Sequence, residues 1–294
     1  MTEPITRAHR ALEGLSVGDA FGELFFMDTG LAFEHIGERR IPSGPWRYTD
    51  DTEMAISIVE ALTRRGEIHQ HELAAAFATR MDRRRGYGVG AMRILTQILE
   101  GVPWRQAAGE VFRGTGSYGN GGAMRVAPLG AFFADDLERC VAEARASAEV
   151  THMHPEGIAG AIAIACGAAF RCAEGGPLLG DPFLALVAER TPKGLTRDGI
   201  EDARRLPEDI DVVAAAKVLG NGSGVSAQDT VPLCLWIASR HKSDYEAALW
   251  ETVAALGDRD TTCAIVGGMI AAGGAEIPEE WLRLREGLPE RVGE

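Results

Sequence analysis

A chain that sets two carboxylates and a hydroxyl within four positions, directly ahead of an apolar run, must fold so that something offsets their repulsion. That stretch is Gly257-Asp258-Arg259-Asp260-Thr261-Thr262. Asp-x-Asp-Thr presents only oxygen ligands, a donor set that suits Mg²⁺, Mn²⁺ or Ca²⁺ and poorly suits Zn²⁺ or copper. Its counterpart lies far upstream at Tyr48-Thr49-Asp50-Asp51-Thr52-Glu53, where a hydroxyl again adjoins paired aspartates just before an amphipathic segment. Taken singly, each cluster reads as a helix N-cap, since Thr and Asp satisfy free N–H groups and acids suit the helix dipole. Two such clusters in one chain point to a shared cation site, because like charges held close need a cation or a proton between them.

The rest of the chain predicts helices around these clusters. Apolar residues recur at helical spacing over Thr52 to Arg64, His71 to Arg83, Gly90 to Leu99, Asp135 to Val150, Ile158 to Cys172, Asp211 to Leu219, Val231 to Ser239, Asp244 to Leu256 and Cys263 to Ala272. Arg7 to Phe26 reads as a helix interrupted at Gly18-Asp19-Ala20-Phe21-Gly22, where glycines favour close packing or approach to a ligand. Asp28 to Tyr48 and Gly220 to Gln228 read as loops, and Gly175 to Pro207 as loop with one short helix around Phe183 to Ala188. No strand-length alternation is convincing, so the expected class is all-α, one domain over residues 1–294.

Composition narrows the chemistry. A formal net charge of -13 argues against nonspecific binding to nucleic acid or membrane surfaces, which requires clustered cations. The basic run Arg83-Arg84-Arg85 reads as a solvated helix end, with contact to a small anionic ligand as its alternative. Cys140, Cys166, Cys172, Cys234 and Cys263 form no CxxC pair and mostly sit in apolar stretches, as buried thiols in a reducing cytoplasm would. The N-terminus has no signal-like pattern and no apolar run is long enough to span a bilayer, so a soluble cytoplasmic protein is expected.

Two further stretches bear on ligands. Gly114 to Arg125 is the densest glycine segment, with uncovered backbone N–H groups that can cradle phosphate or hydroxyl oxygens, yet it has neither GxGxxG after a strand nor the P-loop lysine. Its alternative is a flexible turn. His152-x-His154 lacks the further ligands of a zinc site and reads as a helix-entry loop with hydrogen-bonded imidazoles.

Four blocks, in order, resemble the ADP-ribosylglycohydrolases, a family that includes the dinitrogenase reductase-activating glycohydrolase. They are Gly18-Asp19-Ala20-Phe21-Gly22, Thr49-Asp50-Asp51, Gly119-Asn120-Gly121-Gly122-Ala123-Met124-Arg125 and Gly257-Asp258-Arg259-Asp260-Thr261, and they span nearly the whole chain. The resemblance implies a compact orthogonal bundle of α-helices with two Mg²⁺ or Mn²⁺ ions at its centre. By position, Thr49, Asp50 and Asp51 would hold metal from one side and Asp258, Asp260 and Thr261 from the other. Gly119, Asn120, Gly121 and Gly122 would line the ADP-ribose site, and His152 matches a histidine that commonly follows a threonine there. The family reaction hydrolyses the bond between the distal ribose of ADP-ribose and an acceptor, often an arginine or serine side chain. One departure stands out: some members carry a glutamate eight residues after the position of Gly18, and here that residue is Phe26, with Glu23, five residues after Gly18, as the candidate substitute and an ordinary solvated helix residue as its alternative reading.

Cleaving an anomeric C–O or C–N bond passes through an oxocarbenium-like transition state, so the site must orient the sugar, activate water and assist the leaving group. Asp258 and Glu23 are the candidates to move the proton, with Asp258 preferred because Asp260 and Thr261 would fix its geometry. The acceptor stays open among arginine, serine, a nucleic-acid end and a small metabolite. Three other readings compete: binding of ADP-ribose without turnover, motivated by Phe26; a phosphoesterase using the same ions; and a structural role like that of a lens crystallin with this fold. The last conflicts with four retained carboxylates, Asp50, Asp51, Asp258 and Asp260, that cost stability without metal.

Overall fold

The computed structural model describes residues 2–172 and 176–289. Gly175, where the sequence reading begins a loop, lies outside the described residues, as do Met1 and residues 290–294 at the ends of the expected domain. Among the described residues the chain is all-helical, with three isolated bridges and no strand. No helix is long and apolar enough to cross a membrane.

The architecture turns on one helix crossing. Pro4–Glu23 runs antiparallel to Arg259–Ala272, and the two meet along matched small residues. A Cβ added at Gly14 would lie 2.5 Å from the Gly267 carbonyl oxygen, one at Gly18 2.1 Å from that of Cys263, and one at Gly22 2.2 Å from that of Arg259. The backbones are therefore in direct contact, which only glycine permits. This corrects the expected interruption around Gly18. The helix continues through all three glycines, because tertiary contact outweighs their low helix propensity of about 1 kcal/mol each. The stripe also sets the start of Arg259–Ala272 beside the end of the first helix.

An aromatic cluster anchors the entry to the other acidic segment. Trp46 and Phe21 are fully buried. Phe21 stacks on Trp281 at 4.6 Å, and Trp46 meets Trp281 edge-on at 5.6 Å. Trp46 N–H donates to the Leu284 carbonyl, and Glu286 N–H donates back to Trp46. Thr49 then begins Asp50–Arg65 from a fixed platform.

Three expectations change. Asp28 to Tyr48 is not all loop: Asp28 caps a helix over Thr29–Gly37 by accepting from Gly30 and Leu31 N–H. That helix buries only Ala32, so it carries little apolar periodicity. Gly180–Arg190 and Leu195–Ala203 are two helices where one was expected. In the basic run, Arg85 is not solvated: it pairs with Glu286, donates to the Tyr48 carbonyl at 2.7 Å and lies 3.9 Å from the Tyr48 ring centroid. All five cysteines are free, four of them buried.

Candidate active site

The two acidic clusters are helix starts, and the fold brings them to one cleft. Thr49 is the N-cap of Asp50–Arg65 and Asp258 occupies the N-cap position of Arg259–Ala272, so both helix dipoles point their positive ends at the same space. Asp50, Asp51, Asp258, Asp260 and Thr261 line a cleft of about 500 Å³, together with Gly119, Asn120, Gly121 and His152.

Asp19, fully buried, holds the first cluster. Its carboxylate accepts from Thr49 N–H at 2.9 Å, the Thr49 hydroxyl at 2.8 Å, Thr52 N–H at 3.1 Å and the Thr52 hydroxyl at 2.5 Å. The Thr49 hydroxyl also lies 3.1 Å from Asp51 Oδ2. The second cluster is placed by a turn with left-handed residues at Leu256 and Gly257. There a Cβ on Gly257 would fall 2.1 Å from the Asn221 carbonyl oxygen, and Asp258 N–H donates to that same oxygen at 3.1 Å.

Packing acids here is electrostatically expensive. Burial is the main cause that pushes Asp19 up to about 6 and Asp50 up to about 8, and for Asp50 the nearby Asp19 charge adds to it. Asp51 and Asp260 are driven well above the carboxylate range, again by burial first and then by neighbouring aspartates. Asp51 Oδ1 and Asp260 Oδ1 are buried with no hydrogen-bond partner. Among the described residues no three His, Cys, Asp or Glu side chains close into a cage on their own. The donor set therefore fits a hard cation only with threonine hydroxyls and water completing it: all-oxygen ligands, excess negative charge, and two orphaned carboxylate oxygens.

The glycine-rich segment forms the opposite wall. Asn120 is buried, and its amide donates to Asp258 Oδ2 at 2.7 Å and Thr230 Oγ1 at 3.1 Å, so the side chain braces an acid of the second cluster. Gly119 and Gly121 make room for His152: a Cβ on either would approach Nε2 to 3.2 Å or 3.0 Å. His154 caps Pro155–Arg171 by accepting from Glu156 N–H, as a helix-entry histidine should. At the mouth stand Phe112, 52% exposed, and Tyr118, 41% exposed, with ring centroids 5.8 Å apart. The sequence pattern singles out neither, although Phe112 stands two residues ahead of the glycine-rich segment and Tyr118 within it, and an aromatic among glycines is a usable signal.

A second hollow of about 410 Å³ adjoins the first at Gly86 and contains Glu23, Arg47, Tyr48, Thr49 and Arg85. Partial burial, with the Asp258 charge second, raises the Glu23 pKa. Phe26 lines neither hollow; it is 51% exposed, and the Arg259 guanidinium sits 4.9 Å from its ring centroid.

The profile of the ADP-ribosylglycohydrolase family matches residues 1–293. An uncharacterized protein of Archaeoglobus fulgidus is 34% identical, covering 95% of this chain and 90% of that protein. ADP-ribosylhydrolase ARH3 of Gallus gallus is 28% identical over 98% of this chain and 91% of its own length. The ADP-ribosyl-[dinitrogen reductase] glycohydrolase of Rhodospirillum rubrum is 28% identical over 94% and 89%. Among solved structures, an ADP-ribosylglycohydrolase-related protein complex superposes with a TM-score of 0.67 at 26% identity, covering 97% of this chain and 94% of that one.

Proposed function

Because this chain belongs to the ADP-ribosylglycohydrolase family, a family of glycohydrolase enzymes that remove ADP-ribose, we propose that it performs a metal-assisted hydrolysis between its two acidic helix starts. The observation that carries the metal-assisted part is the pair of buried, unpartnered oxygens, Asp51 Oδ1 and Asp260 Oδ1, among carboxylates that burial and mutual repulsion hold in their proton-binding form. Such a site is built to exchange protons for cations. Thr49, Asp50 and Asp51 would hold one side of a pair of Mg²⁺ or Mn²⁺ ions and Asp258, Asp260 and Thr261 the other. When bound, such ions supply Lewis-acid charge at the sugar and make water acidic enough to attack at neutral pH.

The chain's own residues divide the remaining work. Phe112 and Tyr118 offer aromatic faces at the cleft mouth on which a purine base can stack. Gly119 and Gly121 let the ligand approach the backbone, whereas Gly122, expected to line the cleft, is instead buried against Gly157, Ala148 and Ala161; Asn120 keeps Asp258 aimed into the cleft. The hollow beside Thr49 receives the acceptor, where Glu23 serves as the acid. Partial burial, with the neighbouring Asp258 charge second, makes Glu23 hold its proton more tightly than an ordinary glutamate. Water's oxygen bonds to the anomeric carbon as the bond to the acceptor breaks; the acceptor leaves with the Glu23 proton, and the proton that water sheds restores Glu23.

The test is product analysis with arginine-linked and serine-linked ADP-ribosyl peptides, in Mg²⁺, in Mn²⁺ and in EDTA. Free ADP-ribose released only with metal supports the proposal and names the acceptor class. AMP as product makes the protein a phosphoesterase, and tight ADP-ribose binding with no release from either linkage makes it a binding protein.

A further inference from the structure

Behind His152 the Thr151 hydroxyl has both of its hydrogen bonds accounted for, although Arg125 Nε and Ser147 Oγ beside it are buried without a partner. Arg125, fully buried, donates from Nη2 to the Thr151 hydroxyl at 2.8 Å and to the Ser147 carbonyl at 3.1 Å, while its Nη1 faces Met54 Sδ at 3.3 Å. The Phe77 ring centroid lies 4.5 Å from the guanidinium carbon, which keeps the group from turning away. Thr151 Oγ1, itself fully buried, stands 2.7 Å from His152 Nδ1. Arginine has no acceptor, so Thr151 receives a hydrogen bond from Arg125 and retains a single proton to give. No other acceptor lies within reach of that hydroxyl among the described residues, so the proton goes to His152 Nδ1.

We infer that Arg125 and Thr151 are positioning residues that lock His152 as the Nε2–H tautomer, making it a one-directional neutral donor to an oxygen of the bound ligand. The donor emerges between Gly119 and Gly121, whose missing side chains leave Nε2 its path into the cleft. Burial first, and the Arg125 charge second, push the imidazole down to about 3, so it stays neutral at working pH. A histidine that kept its proton on Nδ1 would present a lone pair there and repel a phosphate oxygen. The ligand side of this inference rests on the reading of the cleft as an ADP-ribose site; the tautomer does not.

The experiment uses the full chain with ¹⁵N-labelled histidine. Long-range ¹H–¹⁵N imidazole correlations read the tautomer without ligand, and calorimetry with free ADP-ribose reads the donor. Arg125 is too central for a first variant, so Thr151→Val removes the relay hydroxyl at nearly constant shape and Thr151→Ser restores it. The wild type is expected to show protonated Nε2 and bare Nδ1. Thr151→Val loses that fixed pattern and binds ADP-ribose about tenfold more weakly, and Thr151→Ser recovers both. Protonated Nδ1 in the wild type, or an unchanged pattern in Thr151→Val, overturns the relay. A lost pattern with unchanged affinity overturns the donor role. Fixed Nε2–H in a wild type that does not bind ADP-ribose supports the relay and overturns the reading of the cleft.

Discussion

Asp19 holds Thr49 by both of its hydrogen-bond donors: the backbone N–H reaches Oδ2 at 2.9 Å and the hydroxyl reaches Oδ1 at 2.8 Å. The same carboxylate takes both donors of Thr52, so one buried acid on the first helix sets the first turn of another. Asp19→Asn keeps the shape but turns an amide N–H₂ toward donors that need an acceptor. A buried mismatch of this kind costs about 1–3 kcal/mol. The supporting role toward the cation ligands is expected to cost 10–100-fold in Mn²⁺ affinity, about what outer-shell partners of metal ligands contribute. Thermal melts and Mn²⁺ calorimetry check this. A destabilised variant with unchanged Mn²⁺ affinity would show that Asp19 serves folding alone.

The two orphaned carboxylate oxygens predict a trade between stability and function. Asp260→Asn removes a buried acid whose pKa is driven far up, so the metal-free protein no longer has to take up a proton to fold at neutral pH. Its melting temperature in EDTA should therefore exceed that of the wild type at pH 7, and the gain should shrink as pH falls and vanish only below the ordinary aspartate value of 3.8, where the wild-type carboxyl is protonated in both states. Stabilisation by Mn²⁺ should disappear at the same time. A variant less stable than wild type in EDTA at pH 7 would mean that Asp260 is already paired by something the cleft supplies.

Metal affinity should rise with pH. Asp19 is pushed up to about 6 and Asp50 to about 8, from an ordinary value of 3.8. An acid with a raised folded-state pKa binds its proton more tightly in the native state, so the metal-free fold loses stability as pH climbs from about 4 to about 8. A cation that displaces those protons reverses the loss. The gap in melting temperature between Mn²⁺-loaded and EDTA-treated protein is accordingly expected to widen from pH 5 to pH 8. His152, pushed down to about 3, stays neutral in both native forms over this range, and the unfolded state they share titrates identically, so it cancels in the difference. A gap that is flat with pH would remove proton exchange from the account.

What could be read from the chain, and what could not, follows the range of the interactions. Thr49-Asp50-Asp51 and Asp258-x-Asp260-Thr261 were legible as helix starts because capping is a matter of three or four neighbouring residues. Their meeting depends on Gly14, Gly18 and Gly22 facing Gly267, Cys263 and Arg259, a non-local match: the sequence offers Gly18 and Gly22 as points of close packing but not the helix they pack on. Asp19 has no role legible in Gly18-Asp19-Ala20-Phe21-Gly22, since nothing local says which helix its carboxylate faces. Arg85 looked like part of a solvated run because its partner, Glu286, is near the other end of the chain. The Thr29–Gly37 helix escaped because one buried alanine makes no periodic signal.

The glycine stripe gives a prediction on packing. Gly18→Ala would place a methyl 2.1 Å from the Cys263 carbonyl oxygen, a backbone atom that cannot rotate aside. Overpacking typically costs about 1–3 kcal/mol, and a backbone clash lies at the upper end or beyond. Because the same crossing sets the distance between the two acidic starts, Mn²⁺ affinity should fall along with the melting temperature. Gly66→Ala is the control: Gly66, unlike the helical Gly18, has left-handed backbone, at φ 69°, and nothing lies within 4 Å of its added Cβ. It should lose stability alone. Equal losses of affinity in the two variants would separate the crossing from the site.

Glu23 and Phe26 divide a question that the family resemblance leaves to this chain. Phe26 is turned outward under Arg259 and lines neither hollow, whereas Glu23 lines the hollow beside Thr49 and feels the Asp258 charge. If Glu23 delivers the proton to the leaving acceptor, Glu23→Gln should lower kcat by about 10²–10⁴-fold, the usual worth of a general acid, while leaving ADP-ribose affinity within a few-fold. The basic limb of the wild-type pH–rate profile should flatten in the variant, because the group whose proton it reports is gone. Phe26→Ala should leave kcat nearly unchanged, since that side chain contributes packing against Arg259 and nothing to either hollow. Asp258→Asn distinguishes the rival assignment. Loss of Mn²⁺ binding together with activity makes Asp258 a ligand, whereas retained Mn²⁺ binding with lost activity and a fully active Glu23→Gln would move the acid role to Asp258.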